Sequence, residues 1–322
     1  MRANWFITFL TALSFSALAT ELTPDQQVAK TQGLVFYNQF KTTLAIPNLK
    51  IAADAGDQEA QYYLGEAIVR KSKHITSEAQ GAYEASALDG DIYSMIRLAA
   101  SSDDLCVTMK NCPAAQKTPA EWKKIALEKA QAAASKGDAE MMYLMFRLSG
   151  DDKWLERSAE AGYALAQYRL ATAYRSGKGF FLPPSKRAEA IERLMKASSE
   201  GGYPLGMMGY VEVLASNKQF DLLRFWNQKA AESGYASAVF GYGSYLFKTP
   251  PEFEFPYDPV KSYALIFSLL ELDGGGGMHD YASDKLPEIS EKLTPEQIEQ
   301  AKQISKEWKA THPPLSYFPD KL

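Results

Sequence analysis

The chain has 322 residues, with 35 Lys and Arg against 39 Asp and Glu, a formal charge of −4 and only two cysteines. Nonspecific binding to nucleic acid or anionic lipid needs concentrated positive charge, and so faintly acidic a chain offers none.

Residues 1–19 read as a secretory signal peptide. Arg2 is its positive end, Trp5 to Phe15 its apolar stretch, and Ala17-Leu18-Ala19 supply small residues at the cleavage point. The apolar stretch is well short of the roughly 20 residues that a spanning helix needs. No cysteine follows it to carry a lipid anchor. Cleavage after Ala19 is therefore expected, with a mature chain beginning at Thr20 and working in a Gram-negative-type periplasm. No later segment is long, apolar and uncharged, so no membrane insertion is expected after cleavage.

Residues 20–48 are expected to form an N-terminal capping helical region, and residues 49–292 a repeat array. The repeat is a pair of small residues, two further residues and a glycine. It occurs as Ala52-Ala53 before Gly56, Ser86-Ala87 before Gly90 and Ala133-Ala134 before Gly137. It returns as Ser158-Ala159 before Gly162, Ser198-Ser199 before Gly202 and Ala230-Ala231 before Gly234. Three or four residues upstream of each pair stands a larger apolar residue in most copies, such as Leu49, Tyr83, Leu155, Met195 and Trp226. That spacing defines one helical face, on which small residues let a neighbouring helix come close. The glycine predicts a left-handed helix end, where a Cβ would cost roughly 1–2 kcal/mol. Small or apolar residues four and eight places on, as in Ala60/Leu64 and Ala166/Leu170, predict the next helix. Units that cannot bury their own apolar face must stack, so the fold class predicted is an all-α solenoid of antiparallel helix pairs.

The fourth copy carries the fullest pattern: Ser158-Ala159-Glu160-Ala161-Gly162, Ala166-Gln167-Tyr168-Arg169-Leu170-Ala171, Tyr174 and Ser176-Gly177-Lys178-Gly179. In these residues, and over roughly residues 34–309, the chain resembles the Sel-1-like repeat family, a relative of the tetratricopeptide solenoids. The stretch Leu293-Thr294-Pro295-Glu296-Gln297-Ile298, running on to Trp308, resembles the capping helix of bacterial members, so residues 293–322 are expected to be cap and tail. The resemblance implies a right-handed superhelix whose first helices line a concave face. It is nearly silent on activity.

Three departures from the pattern fall between the first and second helix of a unit: an insertion at 101–118, a shortened link at 149–153 and a proline-rich segment at 250–259. Variation confined to one edge suggests that this edge has its own task. Cys106 and Cys112 lie close together in the first of these. They are expected to pair in an oxidising compartment, for about 2 kcal/mol in the chain-entropy model. No further Cys and no nearby His completes a redox or metal site there.

The resemblance further implies that positions five and seven after each glycine look into the concave face. On that basis Tyr63, Arg97, Met142, Arg169 and Met207 are candidate partner-binding residues, since Tyr and Arg anchor interfaces and Met adapts to irregular ones. The methionines read equally well as fillers between stacked helices. A second candidate surface is the variable edge, where Phe180 and Phe181 precede Leu182-Pro183-Pro184, and Phe253, Phe255 and Tyr257 stand among prolines. Prolines reduce the entropy lost on docking. These aromatics can instead tuck under their own repeats.

Reactive motifs are not found. His74, His279 and His312 are scattered, and no H-E-x-x-H pair occurs. The four glycines at 274–277 precede His279 but lack the Lys-Ser/Thr of a phosphate loop, so a flexible connector is expected. Exported members of the family are linked to penicillin binding or β-lactam hydrolysis, yet no S-x-x-K, S-D-N or K-T-G tract is present. No catalytic residue, metal or cofactor is expected, and the partner expected is a protein. The sharpest implication of the resemblance is an immunity protein that covers the catalytic entrance of a type VI secretion lipase effector. The alternatives are a periplasmic scaffold for a sensor kinase or export machinery, and a β-lactam-binding or peptidoglycan-active enzyme.

Overall fold

The six repeat glycines all adopt left-handed backbone, with φ between 78° and 103°, and each stands in a bend between two helices. An L-residue with a Cβ is strained there, which is why glycine recurs at this position. The computed structural model describes residues 21–321. The signal-peptide reading of residues 1–19 and the cleavage point before Thr20 lie outside the described residues.

Before Gly56 come α1 (Pro24–Asn38) and α2 (Thr42–Asp54), and after it α3 (Gln58–Ser72) and α4 (Ser77–Leu88). Beyond Gly90 lie α5 (Ile92–Ala99), the short α6 (Leu105–Met109) and α7 (Pro119–Ala134); beyond Gly137, α8 (Ala139–Ser149) and α9 (Asp152–Glu160). Gly162 opens the pair α10 (Ala164–Arg175) and α11 (Ser185–Glu200), and Gly202 the pair α12 (Pro204–Ser216) and α13 (Phe220–Glu232). Gly234 leads into α14 (Ala236–Phe247) and α15 (Pro259–Ser268), followed by α16 (Met278–Ser290) and α17 (Pro295–Thr311). Helices pack chiefly on their neighbours in sequence. No β-sheet occurs among the described residues, where an extended segment at the C-terminal end makes an isolated bridge from Ser316 to Tyr235, and the fold is an all-α solenoid of stacked helix pairs.

Small residues set the spacing within the pairs. Ser86, Ser158, Ser198 and Ser262 are fully buried on second helices. Their hydroxyls donate to carbonyls of the preceding first helices, those of Gln58 (2.9 Å), Ala139 (2.6 Å), Ala164 (2.7 Å) and Gly243 (2.6 Å). Each such bond contributes about 1 kcal/mol, and it forms only because nothing larger than a hydroxymethyl group separates the helices.

The corners differ along the chain. Asp57, Asp91 and Asp138 cap α3, α5 and α8 by accepting the N–H of Ala60, Ser94 and Met141 at 2.7, 2.7 and 3.0 Å. At α10, α12 and α14 the same position holds Tyr163, Tyr203 and Tyr235, with no side-chain cap. A lost cap costs about 1 kcal/mol. Tyr163 and Tyr203 instead border a cavity shared with residues 319–321, and Tyr235 packs on Met207, Ala230 and Ala238.

The segments at 101–118, 149–153 and 250–259 do fall between the first and second helix of their units, on one edge. Cys106 and Cys112 are joined in a disulfide.

The solenoid curves until its two ends meet. Gln39 Nε2 donates to Glu271 at 3.0 Å, Lys41 pairs with Asp273 at 3.1 Å, and Lys309 reaches Glu271 at 3.1 Å. A Cβ on Gly274 would lie 2.7 Å from the Lys41 nitrogen and the Phe40 carbonyl carbon. The glycines at 274–277 are therefore a site of close backbone approach that seals the ring, and not the free connector that the sequence suggests. Among the described residues no helix is long and apolar enough to cross a membrane.

Candidate functional site

Positions five and seven after a corner glycine cannot share a face, because residues two apart on a helix are rotated by about 200°. The structure divides them in four of the units, while in the third and fifth Leu144 and Gly209 at position seven are buried like the residues at position five. At position five, Met142 and Met207 are buried, and Met207 packs with Ala230 and Ala238. Gln61 and Gln167, also at position five, are buried and donate to the carbonyls of Ala53 (3.3 Å) and Ala159 (3.2 Å) just before the corner. At position seven, Tyr63 and Arg97 are half-buried and Arg169 is exposed. These three reach the space inside the ring.

That space is crossed by the chain's own C-terminus. After α17, the amide of Ser316 donates to Gly234 O and its carbonyl accepts from Ala236 N, both at 2.9 Å. Tyr317 donates from its amide to Asn38 O and from its hydroxyl to Gly275 O, each at 3.0 Å. Gly234 admits this strand: a Cβ there would sit 2.8 Å from the carbonyl oxygens of Pro313 and Pro314. Leu315 is buried. The Phe318 ring lies 4.8 Å from Phe40 and 5.9 Å from Tyr37, with the Arg70 guanidinium 4.4 Å from its centre. Arg70 is itself fixed by donating to Tyr37 O at 2.7 Å.

Further on, Asp320 accepts from the Tyr203 hydroxyl at 3.2 Å and lies 3.8 Å from Arg169. The Lys321 ammonium sits 5.4, 5.9 and 4.9 Å from the ring centres of Tyr62, Tyr63 and Tyr93, within cation–π range of all three. The Tyr62 hydroxyl donates to Lys321 O at 2.5 Å. The strand thus touches walls contributed by both ends and the middle of the array.

Burial governs the electrostatics here. It raises the Asp320 carboxyl above the ordinary range, outweighing Arg169, Tyr203 and Arg147, which pull the other way. Burial, then the Asp320 charge, raises the Tyr203 phenol, and burial pushes Tyr163 up to about 12. Both phenols remain protonated at neutral pH, and that of Tyr203 donates to Asp320. Arg97 pairs with Glu66 (Nε to Oε1, 2.6 Å), which also accepts from the Tyr83 hydroxyl at 2.7 Å. Burial works against the Arg97 charge, and Glu66 more than offsets it.

A cavity of 480 Å³ adjoins the strand, bounded by Tyr93, Glu140, Tyr163, Tyr203 and the strand's own Pro319, Asp320 and Lys321, and another of 320 Å³ lies between Tyr37, Arg70 and Arg97 and the start of the insertion at Ala100, Asp103 and Asp104. Among the described residues no group of three His, Cys, Asp or Glu side chains is placed to hold a metal ion.

The variable edge is a separate surface. Phe180 is 86% exposed, its neighbour Leu182 73% and Tyr257 65%. Phe181 instead tucks in, 4.9 Å from Tyr174, with Arg187 over its face. Phe253 is half-buried against Phe220 and Tyr245, and Phe255 is buried and stacked on Tyr245 at 4.9 Å. Each loop thus buries part of its aromatic content and projects the rest. The structure brings Tyr63, Arg97 and Arg169 to the ring interior, places Phe180 and Tyr257 on the outer edge, and takes Met142, Met207 and Phe255 into the packing.

No protein-family model matches the chain, and no curated protein matches it either. Among solved structures it is similar to a protective antigen of uropathogenic Escherichia coli that displays an SLR fold, with 19% identity over 90% of this chain and 62% of that one, at a TM-score of 0.49. The chain thus spans less than two thirds of that antigen's length. It is also similar to a Sel1 repeat protein from Oxalobacter formigenes (18% identity, 87% and 86% coverage, TM-score 0.39) and to yeast Tom70 (15%, 94% and 67%, 0.42). The chain's own helix pairs and glycine corners define its class as an all-α solenoid of stacked antiparallel helix pairs.

Proposed function

We propose that the chain is a non-enzymatic, exported protein-binding scaffold. The observation that carries this reading is the projecting apolar surface on the variable edge: Phe180, Leu182 and Tyr257 stand in solvent on loops stiffened by proline while their neighbours are tucked into the fold. Large apolar groups held out on rigid loops lose water and little entropy when covered, which suits them to a protein interface. The Cys106–Cys112 disulfide, in an exposed insertion on the same edge, supports work in an oxidising compartment. Our finer reading is an immunity protein that binds a secreted phospholipase effector of a type VI secretion system and covers its catalytic entrance.

The test is protection. The chain is produced in the periplasm of cells that also express the effector encoded beside it, alongside a variant carrying Phe180→Ala, Leu182→Ala and Tyr257→Ala. Survival with the native chain and killing with the folded triple variant support the reading. Killing in both cases removes the immunity role, and capture of a sensor or export component in place of a lipase would assign the scaffold to that machinery.

A further inference from the structure

We propose that the ring interior is a site for an extended peptide that presents an aromatic residue followed three positions on by a basic one, and that residues 313–321 hold it in the free chain as a displaceable internal ligand. The proposal deepens the protein-binding reading, on which it rests, by naming a second surface and the chemistry of its partner segment.

The wall is built for that ligand. Phe318 enters a socket of Tyr37 and Phe40 roofed by Arg70, and Lys321 enters a cage of Tyr62, Tyr63 and Tyr93. An arginine against an aromatic face and an ammonium among phenol rings are both attracted by the ring quadrupole, and the attraction grows when water is excluded. Between the two subsites Tyr203 offers a hydroxyl donor, which Asp320 takes at 3.2 Å.

The internal ligand fits this wall imperfectly. Of its residues only Leu315 is buried, while Tyr317, Phe318, Pro319, Asp320 and Lys321 are all partly exposed. Asp320 stands 3.8 Å from Arg169, too far for a hydrogen-bonded pair, and its burial is not fully compensated. Its tip leaves 480 Å³ unfilled against Tyr93, Glu140, Tyr163 and Tyr203. Three backbone–backbone bonds hold it, Ser316 with Gly234 and Ala236 and Tyr317 with Asn38, beside the Tyr62 hydroxyl on Lys321 O and the Tyr317 hydroxyl with Gly275 O and Met278 N. A partner strand bearing the same aromatic and basic groups with larger flanking side chains would gain the contacts that the native strand leaves unmade. Its binding would be an exchange, in which the apparent affinity is reduced by the fraction of rings already occupied.

The experiment uses a fluorescein-labelled synthetic peptide of the sequence of residues 313–321 and full-length protein, read by fluorescence anisotropy. The variant Phe318→Ala/Lys321→Ala, which loosens the internal strand, is expected to bind the probe at least tenfold more tightly than the native chain. Adding Arg70→Gln and Tyr63→Ala in the wall should abolish that gain. Equal binding by the native and loosened chains, or no binding to a loosened chain with a native helical spectrum, overturns the proposal, as does a loosened chain that becomes a strand-swapped dimer. If the loosened chain fails to fold, the native protein decides. A large excess of unlabelled peptide should speed hydrogen exchange at the Ser316 and Tyr317 amides, and unchanged exchange overturns the proposal. Failure of the probe leaves partner capture by Phe180, Leu182 and Tyr257 standing, while failure of protection by the edge leaves the probe result standing, so the two readings fall separately.

Discussion

The ring interior and the variable edge are furnished with the same residue types and differ in what covers them. Inside, Tyr37, Tyr62, Tyr93 and Tyr203 are buried, each touching the C-terminal strand or a neighbouring ring. Outside, Phe180 and Tyr257 project into water although Phe181 and Phe255, one or two residues away, are packed. An aromatic residue near a proline therefore reads the same in either place. Its fate is set by whether a distant segment of chain arrives to cover it.

That difference predicts unequal sensitivity to substitution. The largest effect is expected at Gly234, where φ is +78° and a Cβ would also collide with two carbonyls of the strand. Gly234→Ala should cost about 2–4 kcal/mol in urea unfolding, combining left-handed strain with a steric clash. Gly162→Ala has similar strain, φ +93°, with nothing within 4 Å of the new Cβ, and should cost only about 1–2 kcal/mol. Equal losses at the two glycines would show that the strand does not press on the Gly234 corner.

Next in size, reducing the Cys106–Cys112 bridge or replacing it by a Cys106→Ser/Cys112→Ser pair should lower stability by about 2 kcal/mol, since the closed loop is short, with a sequence separation of 6. Denaturant titration with and without reductant measures this. The loss should not alter the contacts of Phe318 with Tyr37, Phe40 and Arg70 or of Lys321 with Tyr62, Tyr63 and Tyr93, none of which comes from the insertion.

A smaller effect of opposite sign is expected at Asp320. Its carboxyl in the docked strand is raised above the ordinary value, so the docked state favours the protonated form. Docking is then strongest below the ordinary carboxylate pKa and weakens as pH rises through the raised one. Asp320→Asn should remove that pH dependence and leave the strand at least as well docked at pH 7. Weaker docking of the Asn variant, measured by proteolytic release of the C-terminus, would mean that Arg169 and Tyr203 outweigh burial. Least of all, Phe180→Ala and Tyr257→Ala should change stability by less than about 0.5 kcal/mol, because exposed side chains contribute little to folding. Their effect should appear in partner binding alone.

The corners of this fold were legible in the sequence, because a small pair followed by glycine carries its own physical reason: close helix approach, then a left-handed turn. The helix pairs, the edge on which insertions fall and the Cys106–Cys112 disulfide follow from the same local rules. The direction of side chains was legible only in part. Tyr63, Arg97 and Arg169 were reached by the spacing, but Met142 and Met207 lie two residues earlier in their units and hence on the opposite helical face, among the core residues. The C-terminal strand was not legible, since its partners Asn38, Tyr62, Arg70 and Gly234 are remote in sequence and carry no periodic signal. Two traces of it exist in retrospect: Leu315, Tyr317 and Phe318 form an apolar cluster after the last helix, and Gly274 and Gly276 lack side chains where Phe40 and Tyr317 approach. The tyrosines that replace aspartate at the last three corners are a third trace, visible only once the strand is seen to touch Tyr203 and Tyr235.

Hydrogen–deuterium exchange of the native chain compares the two regions directly. The amides of Ser316, Tyr317 and Phe318, bonded to Gly234 O, Asn38 O and Ser316 Oγ, should exchange well behind those of residues 179–182 in the exposed loop. Exchange at the C-terminus as fast as in that loop would place the strand in solvent and contradict a ring filled by its own chain.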